Sequence, residues 1–225
     1  MPSFAGAVIA EEGCSDDLFR PEAWQPGIRQ SLASFLRRYG LAVSGADDPT
    51  LQAEALRLLQ SMLDGAWRHR KRLERLRLED PRQWLCIIGV NEKTRVRMRS
   101  RRGSEGQPWF DLSDHDVLNQ WAADQPAQRT LTGDNTVPYL GARASFIPTD
   151  QVVCVSPQDF GLLEFKDRLL ENVGFHATLP SMNLVQRLVV SHFKGRKYGD
   201  VWGRPAPDLP ADEVWDPPIR GLGRK

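Results

Sequence analysis

The sequence predicts an α/β fold. A short continuous apolar run, Trp84–Val90, reads as a strand buried on both faces of a sheet, and Gln151–Val155 as a second buried strand. Stretches of helical periodicity lie between and after them, and strands alternating with helices are the rhythm of an α/β sheet. The chain divides at this level into residues 1–80, helical and irregular, 81–195, strands alternating with helices, and 196–225, a proline-rich tail.

In the first stretch Ile28, Leu32, Phe35 and Leu36 recur at helical spacing, and Tyr39-Gly40 supplies a glycine stop. Residues 44–50 carry turn chemistry. Leu51, Ala55, Leu58, Leu59, Met62, Ala66, Leu73 and Leu76 then mark a long helix that ends before Asp80-Pro81, because the residue ahead of a proline avoids the helical region. After the first apolar run, Val96 and Met98 alternate with Arg95, Arg97 and Arg99, the period of a half-exposed strand. Residues 102–108 form a hairpin loop leading to Trp109-Phe110, and this pair is expected at a sheet edge. Residues 114–123 and 162–170 read as helices. The face of Leu184, Val185, Leu188, Val189 and Phe193 predicts a helix over 183–194, stopped by Gly195. Pro205, Pro207, Pro210, Pro217 and Pro218 make 196–225 extended or disordered.

Charge and composition exclude several functions. The 225 residues hold 30 Lys and Arg against 29 Asp and Glu, so the chain has no global field with which to hold nucleic acid. Cys14, Cys86 and Cys154 are few, odd in number and far apart, which suits reduced thiols in a cytoplasmic setting better than a disulfide framework. No run approaches the ~20 apolar residues that span a bilayer, so no transmembrane segment is expected. His69, His115 and His192 have no metal-ligand spacing, and neither metal nor organic cofactor is expected.

The informative segments are Leu131-Thr132-Gly133-Asp134-Asn135-Thr136-Val137-Pro138 and Gly174-Phe175-His176-Ala177-Thr178-Leu179-Pro180. An acid on a glycine turn, a core strand and then a histidine before the terminal helix is the closing order of a Ser-Asp-His triad on an α/β sheet. In such a triad the carboxylate fixes the imidazole tautomer and the histidine takes the nucleophile's proton. Asp134 and His176 fit these two roles. Taken singly, Asp134 also fits a turn aspartate bonded to its own backbone, and His176 a packing histidine ahead of a helix.

The Gly-Asp-Asn-Thr-Val-Pro segment, followed by Gly-Phe-His-Ala-Thr-Leu and a helix opening Met-Asn-Leu, resembles the C-terminal end of the lecithin:cholesterol acyltransferase-like, lipase-like α/β hydrolases. The resemblance covers about Trp84 to Gly195. It implies the C-terminal part of a hydrolase sheet with Asp134 as triad acid and His176 as base. Residues 1–80, with Asp17-Leu18-Phe19 and Trp24, are similar to the helical cap, or lid, that such enzymes insert after the nucleophile. The implied substrates are lipid or other esters, acted on by hydrolysis or acyl transfer.

The Gly-x-Ser-x-Gly elbow of that family does not occur in these 225 residues. Arg102-Gly103-Ser104-Glu105-Gly106 lacks the first glycine at the required spacing and sits in a hairpin loop, so Ser104 is not taken as the nucleophile. Cys14 lies in no strand-turn-helix elbow either. The expectation is a truncated or split enzyme, inactive alone, whose exposed sheet edge requires either an N-terminal hydrolase half or self-association. The rival expectation is a non-catalytic interaction module on the same scaffold. The basic run Arg68, Arg70, Lys71, Arg72, Arg75 and Arg77 reads as a solvated helix face, and Trp24, Trp67 and Trp109 as packing residues between cap and sheet.

Overall fold

A computed structural model describes residues 6–41, 45, 47–112, 126–162, 164, 166, 174–210 and 212–225. Its elements run β1 (Val8–Ala10), α1 (Pro26–Arg38), α2 (Asp48–Arg75), β2 (Cys86–Gly89), β3 (Met98–Arg102), β4 (Pro108–Asp111), α3 (Pro126–Arg129), α4 (Tyr139–Ala142), β5 (Val152–Val155), α5 (Phe175–Thr178), α6 (Asn183–Phe193), β6 (Trp202–Gly203) and β7 (Gly223–Arg224). The chain is a mixture of helices and small sheets, in two compact units: Met1–Arg75 with Arg97–Asp114, and Leu76–Val96 with His115–Lys225. The helix expected over 114–123 and most of that over 162–170 lie outside the described residues.

In the first unit, α1 and α2 pack through Ala33, Leu36, Leu51 and Ala55. The buried stripe of α2 repeats every fourth residue, Leu51, Ala55, Leu59 and Leu63, and stops there. Trp67, next in that series, is half exposed, and so is Trp109. Within this unit Trp24 stacks edge-on against Phe110 with centroids 5.5 Å apart. The hairpin expected around residues 102–108 forms as β3 and β4, in antiparallel register from Arg99 opposite Asp111 to Arg102 opposite Pro108. It sits in the middle of no large sheet: β1 adds in parallel to β3, and this hairpin belongs with the N-terminal helices rather than with the strands around it in sequence.

The second unit is built on two parallel strands, β2 and β5, with Cys86 opposite Val152 and Gly89 opposite Val155. β5 is completely buried because a core lies on each of its faces. Val153 and Val155 point into a cluster with Phe175, Met182, Leu184, Leu188, Trp215 and Ile219. Val152 and Cys154 point into another, with Ile88, Val90, Tyr139 and Ile147. This is the period-2 alternation of a strand sandwiched between two apolar layers.

In the proline-rich segment residues 196–200 are exposed, and beyond them Val201, Leu209, Trp215, Ile219 and Leu222 pack into the core of the second unit. Val201, Gly203, Arg204, Pro205, Ala206 and Pro207 are buried, and Arg204 exchanges backbone hydrogen bonds with Cys154 along the far edge of β5. The anchor is Asp159, whose carboxylate accepts from the Ser156 amide at 2.8 Å, Trp202 Nε1 at 2.9 Å and Lys225 Nζ at 3.1 Å, and pairs with Arg204. Burial raises its pKa, but the hydrogen bonds from Arg204, Ser156 and Trp202 and the Arg204 charge outweigh that and hold it below the usual carboxylate value.

Candidate active site

Asp134 and His176 lie at the carboxyl end of the parallel strand pair, the end at which open α/β sheets place their sites. Asp134 is brought there by a loop-to-loop clasp. Thr132 Oγ1 accepts from the Asn91 amide at 2.8 Å, and Thr94 Oγ1 accepts from the Asn135 amide at 2.9 Å while donating to Glu92 O at 2.8 Å. The Glu92 amide donates to Gly133 O at 3.1 Å. Residues 91–94, which follow β2, are thereby sewn to the 132–138 loop, and both threonines are buried. Asn135 adopts φ 85°, a left-handed conformation that asparagine tolerates better than most residues.

Two glycines make the approach close enough. A Cβ on Gly89, the last residue of β2, would lie 2.6 Å from Asp134 Cβ and 2.9 Å from Phe175 Cε1. One on Gly133 would lie 2.4 Å from Val137 O. Any side chain at either position would force Asp134 and its turn away from the strand end.

Within the turn, Asp134 Oδ1 accepts from the amides of Val137 at 2.7 Å and Thr136 at 3.0 Å. This satisfies the turn reading of Asp134, but only one oxygen is used for it. The other, Oδ2, lies 2.8 Å from His176 Nδ1. His176 is held by its neighbours: Phe175 is fully buried and stacks edge-on against Phe160, and Thr178 Oγ1 ties back to Phe175 O at 3.0 Å. The imidazole itself is about half exposed, at 47%, against 8% for the Asp134 side chain. Among the described residues, its Nε2 has no hydrogen-bond partner.

A carboxylate only accepts, so this geometry puts the proton on Nδ1 and leaves the Nε2 lone pair facing outward. Such an imidazole can take a proton through Nε2, and the resulting cation is stabilised by the buried carboxylate. The arrangement has an orienter and a base; no serine or cysteine is hydrogen-bonded to His176 among the described residues. Ser104 sits in the β3–β4 turn of the first unit. Cys14 also belongs to the first unit, while Cys86 and Cys154 pack in the core, where burial pushes their thiols up. Among the described residues no group of His, Cys, Asp and Glu is placed to hold a metal, and no helix is long and apolar enough to cross a membrane.

The sequence identified the two chemical groups, but not Gly89, Thr94 or Thr132, which set their positions. Only the glycine directly after a buried β-branched run hinted at Gly89. No family model, curated protein or solved structure matches the chain.

Proposed function

We propose that Asp134 and His176 are the acid and base of a serine-hydrolase-type site acting on esters, most simply lipid esters, by hydrolysis or acyl transfer. On this reading the second unit is the C-terminal part of an α/β-hydrolase sheet, and the first unit is its helical cap. The observation that carries the reading is the division of labour at Asp134: one oxygen clamped by two backbone amides, the other on His176 Nδ1, with Nε2 left open. A turn aspartate needs only the first of these. The nucleophile is supplied by polypeptide other than the described residues. Its hydroxyl would give its proton to His176 Nε2 as it attacks the acyl carbonyl, and His176 would return that proton to the leaving alcohol.

The test begins with the reading frames preceding the Met1 codon, which should encode a strand followed by Gly-x-Ser-x-Gly. In the joined protein, short-chain ester hydrolysis should fall by about 10³–10⁴-fold in kcat for His176→Ala. The 225-residue chain alone should hydrolyse none in a His176-dependent way. Ester hydrolysis by the joined protein that is indifferent to His176→Ala would contradict the proposal. The rival reading, a non-catalytic interaction module, draws on the exposed apolar side chains Trp84 and Phe193; it predicts no such elbow.

A further inference from the structure

β2 has the composition of a central strand and the position of an edge strand. Leu85-Cys86-Ile87-Ile88 is uninterrupted aliphatic and thiol side chain, the pattern of a parallel strand with neighbours on both sides. Among the described residues, however, only β5 pairs with it. The direction of its free groups follows from the ladder. The Val90 amide donates to Val155 O at 2.8 Å. In a parallel ladder alternate residues turn their main-chain groups to the same side, so Val90, Ile88 and Cys86 face β5, whereas Leu85, Ile87 and Gly89 face the open edge. Edge strands ordinarily carry a charge or a proline against unwanted pairing, and residues 85–89 carry neither.

The surface beside this edge is apolar as well. A groove of about 460 Å³ belongs to the first unit; the one at the β2 edge, about 400 Å³, is lined by Gln83, Trp84, Leu85, Ile87, Val189, His192 and Phe193, with no Lys, Arg, Asp or Glu. α6 buries Leu184, Val185, Leu188 and Ser191 on one face and exposes Val189, Val190 and Phe193 on another. Phe193 is 85% exposed and Trp84 50%. A helix that is apolar on two faces belongs between two layers.

We propose that this edge is a homodimer interface, in which β2 pairs antiparallel with β2 of a second copy across a two-fold axis. Ile87 lies opposite Ile87, and Leu85 opposite Gly89, so that the residues with open main-chain groups are those that bond. Self-pairing suits a second copy because an isologous interface requires one patch that complements itself. Here each protomer offers both a projecting ring, Phe193, and an uncharged groove beside it. Aromatic side chains bring roughly 150–250 Å² each, so Trp84 and Phe193 with the aliphatic residues around them give roughly 400–500 Å² per protomer. Over both protomers that is roughly 800–1,000 Å², the size of a weak, transient interface. It concerns the 225-residue chain by itself and does not use the chemistry at His176; in the joined enzyme the N-terminal half would take this edge in place of a second copy.

Sedimentation velocity on the 225-residue chain, over about 1 to 100 µM, where weak self-association is populated, should show concentration-dependent conversion from one chain mass to two. Phe193→Asp, at a position too exposed to carry the fold, should weaken the dimer at least tenfold with unchanged circular dichroism. Ile87→Cys, in a Cys14→Ser, Cys86→Ser background, should form a reducible covalent dimer on mild oxidation, since paired residues of this type lie roughly 5.5 Å apart at Cα, within the disulfide range. A chain that stays monomeric at every concentration, a dimer indifferent to Phe193→Asp, or the absence of the Ile87→Cys cross-link would overturn the proposal.

Discussion

Gly89 is the residue on which the site's geometry turns. With a hydrogen for a side chain, it lets Asp134 and Phe175 meet over the end of β2. Gly89→Ala inserts a methyl group into a space closed by Asp134 Cβ, and overpacking of this kind costs about 1–3 kcal/mol. The expected outcome is a lower denaturation midpoint with an unchanged m-value, together with displacement of Asp134 that lengthens its contact to His176. An unaltered midpoint would show that the loop gives way freely. Asp134 and His176 could be read from the sequence because a Gly-Asp turn and a Gly-Phe-His-Ala-Thr string are local signals. Thr94 and Thr132 could not: each acts through one hydroxyl on an amide 41 residues away, a relation that exists only after folding.

At the scale of elements, the least legible piece was the proline-rich segment. Five prolines remove backbone donors and disfavour helix, and to that extent the non-helical course of the described residues after Gly195 followed from the sequence. That it would be packed did not, because its anchor is a single carboxylate at Asp159, 43 to 66 residues away from the side chains it receives. Asp159→Ala leaves Arg204, itself buried, without its counter-charge, and breaking a buried pair in this way costs about 3–5 kcal/mol. Amide exchange should accelerate first in residues 201–206, ahead of β5. The pH dependence has a definite sign. The folded pKa of Asp159 is lowered, so its contribution is fully present above the unfolded carboxylate value, near 4, and is lost as pH falls through the lower folded value. Acid unfolding of the wild-type chain should therefore steepen below about pH 4, and Asp159→Asn should remove that part of the slope. Parallel acid-unfolding slopes for the two proteins would contradict this role.

For the whole molecule, the sequence conveyed the mixture of helices and strands but not its partition. The alternating Arg and apolar positions from Arg95 to Arg99 announced a half-exposed strand, and only its end formed, as β3, which pairs with β4 and also with β1, a segment too short to read as a strand at all. Pairing over some 90 residues depends on loop closure and has no local mark. The parallel pair β2 and β5 was legible as two buried runs, and its carboxyl end holds Asp134 and His176, bonded through Nδ1 with Nε2 left open. The central claim is therefore about one proton. Long-range nitrogen–proton NMR correlation on the 225-residue chain, with His176 assigned by its loss in His176→Ala, reports which imidazole nitrogen carries hydrogen at neutral to mildly alkaline pH. The structure predicts a proton on Nδ1 and a bare Nε2, reverting to a mixture of tautomers in Asp134→Ala; a proton fixed on Nε2 in the wild-type chain, or a pattern that Asp134→Ala leaves untouched, would contradict the assignment of these residues as acid and base.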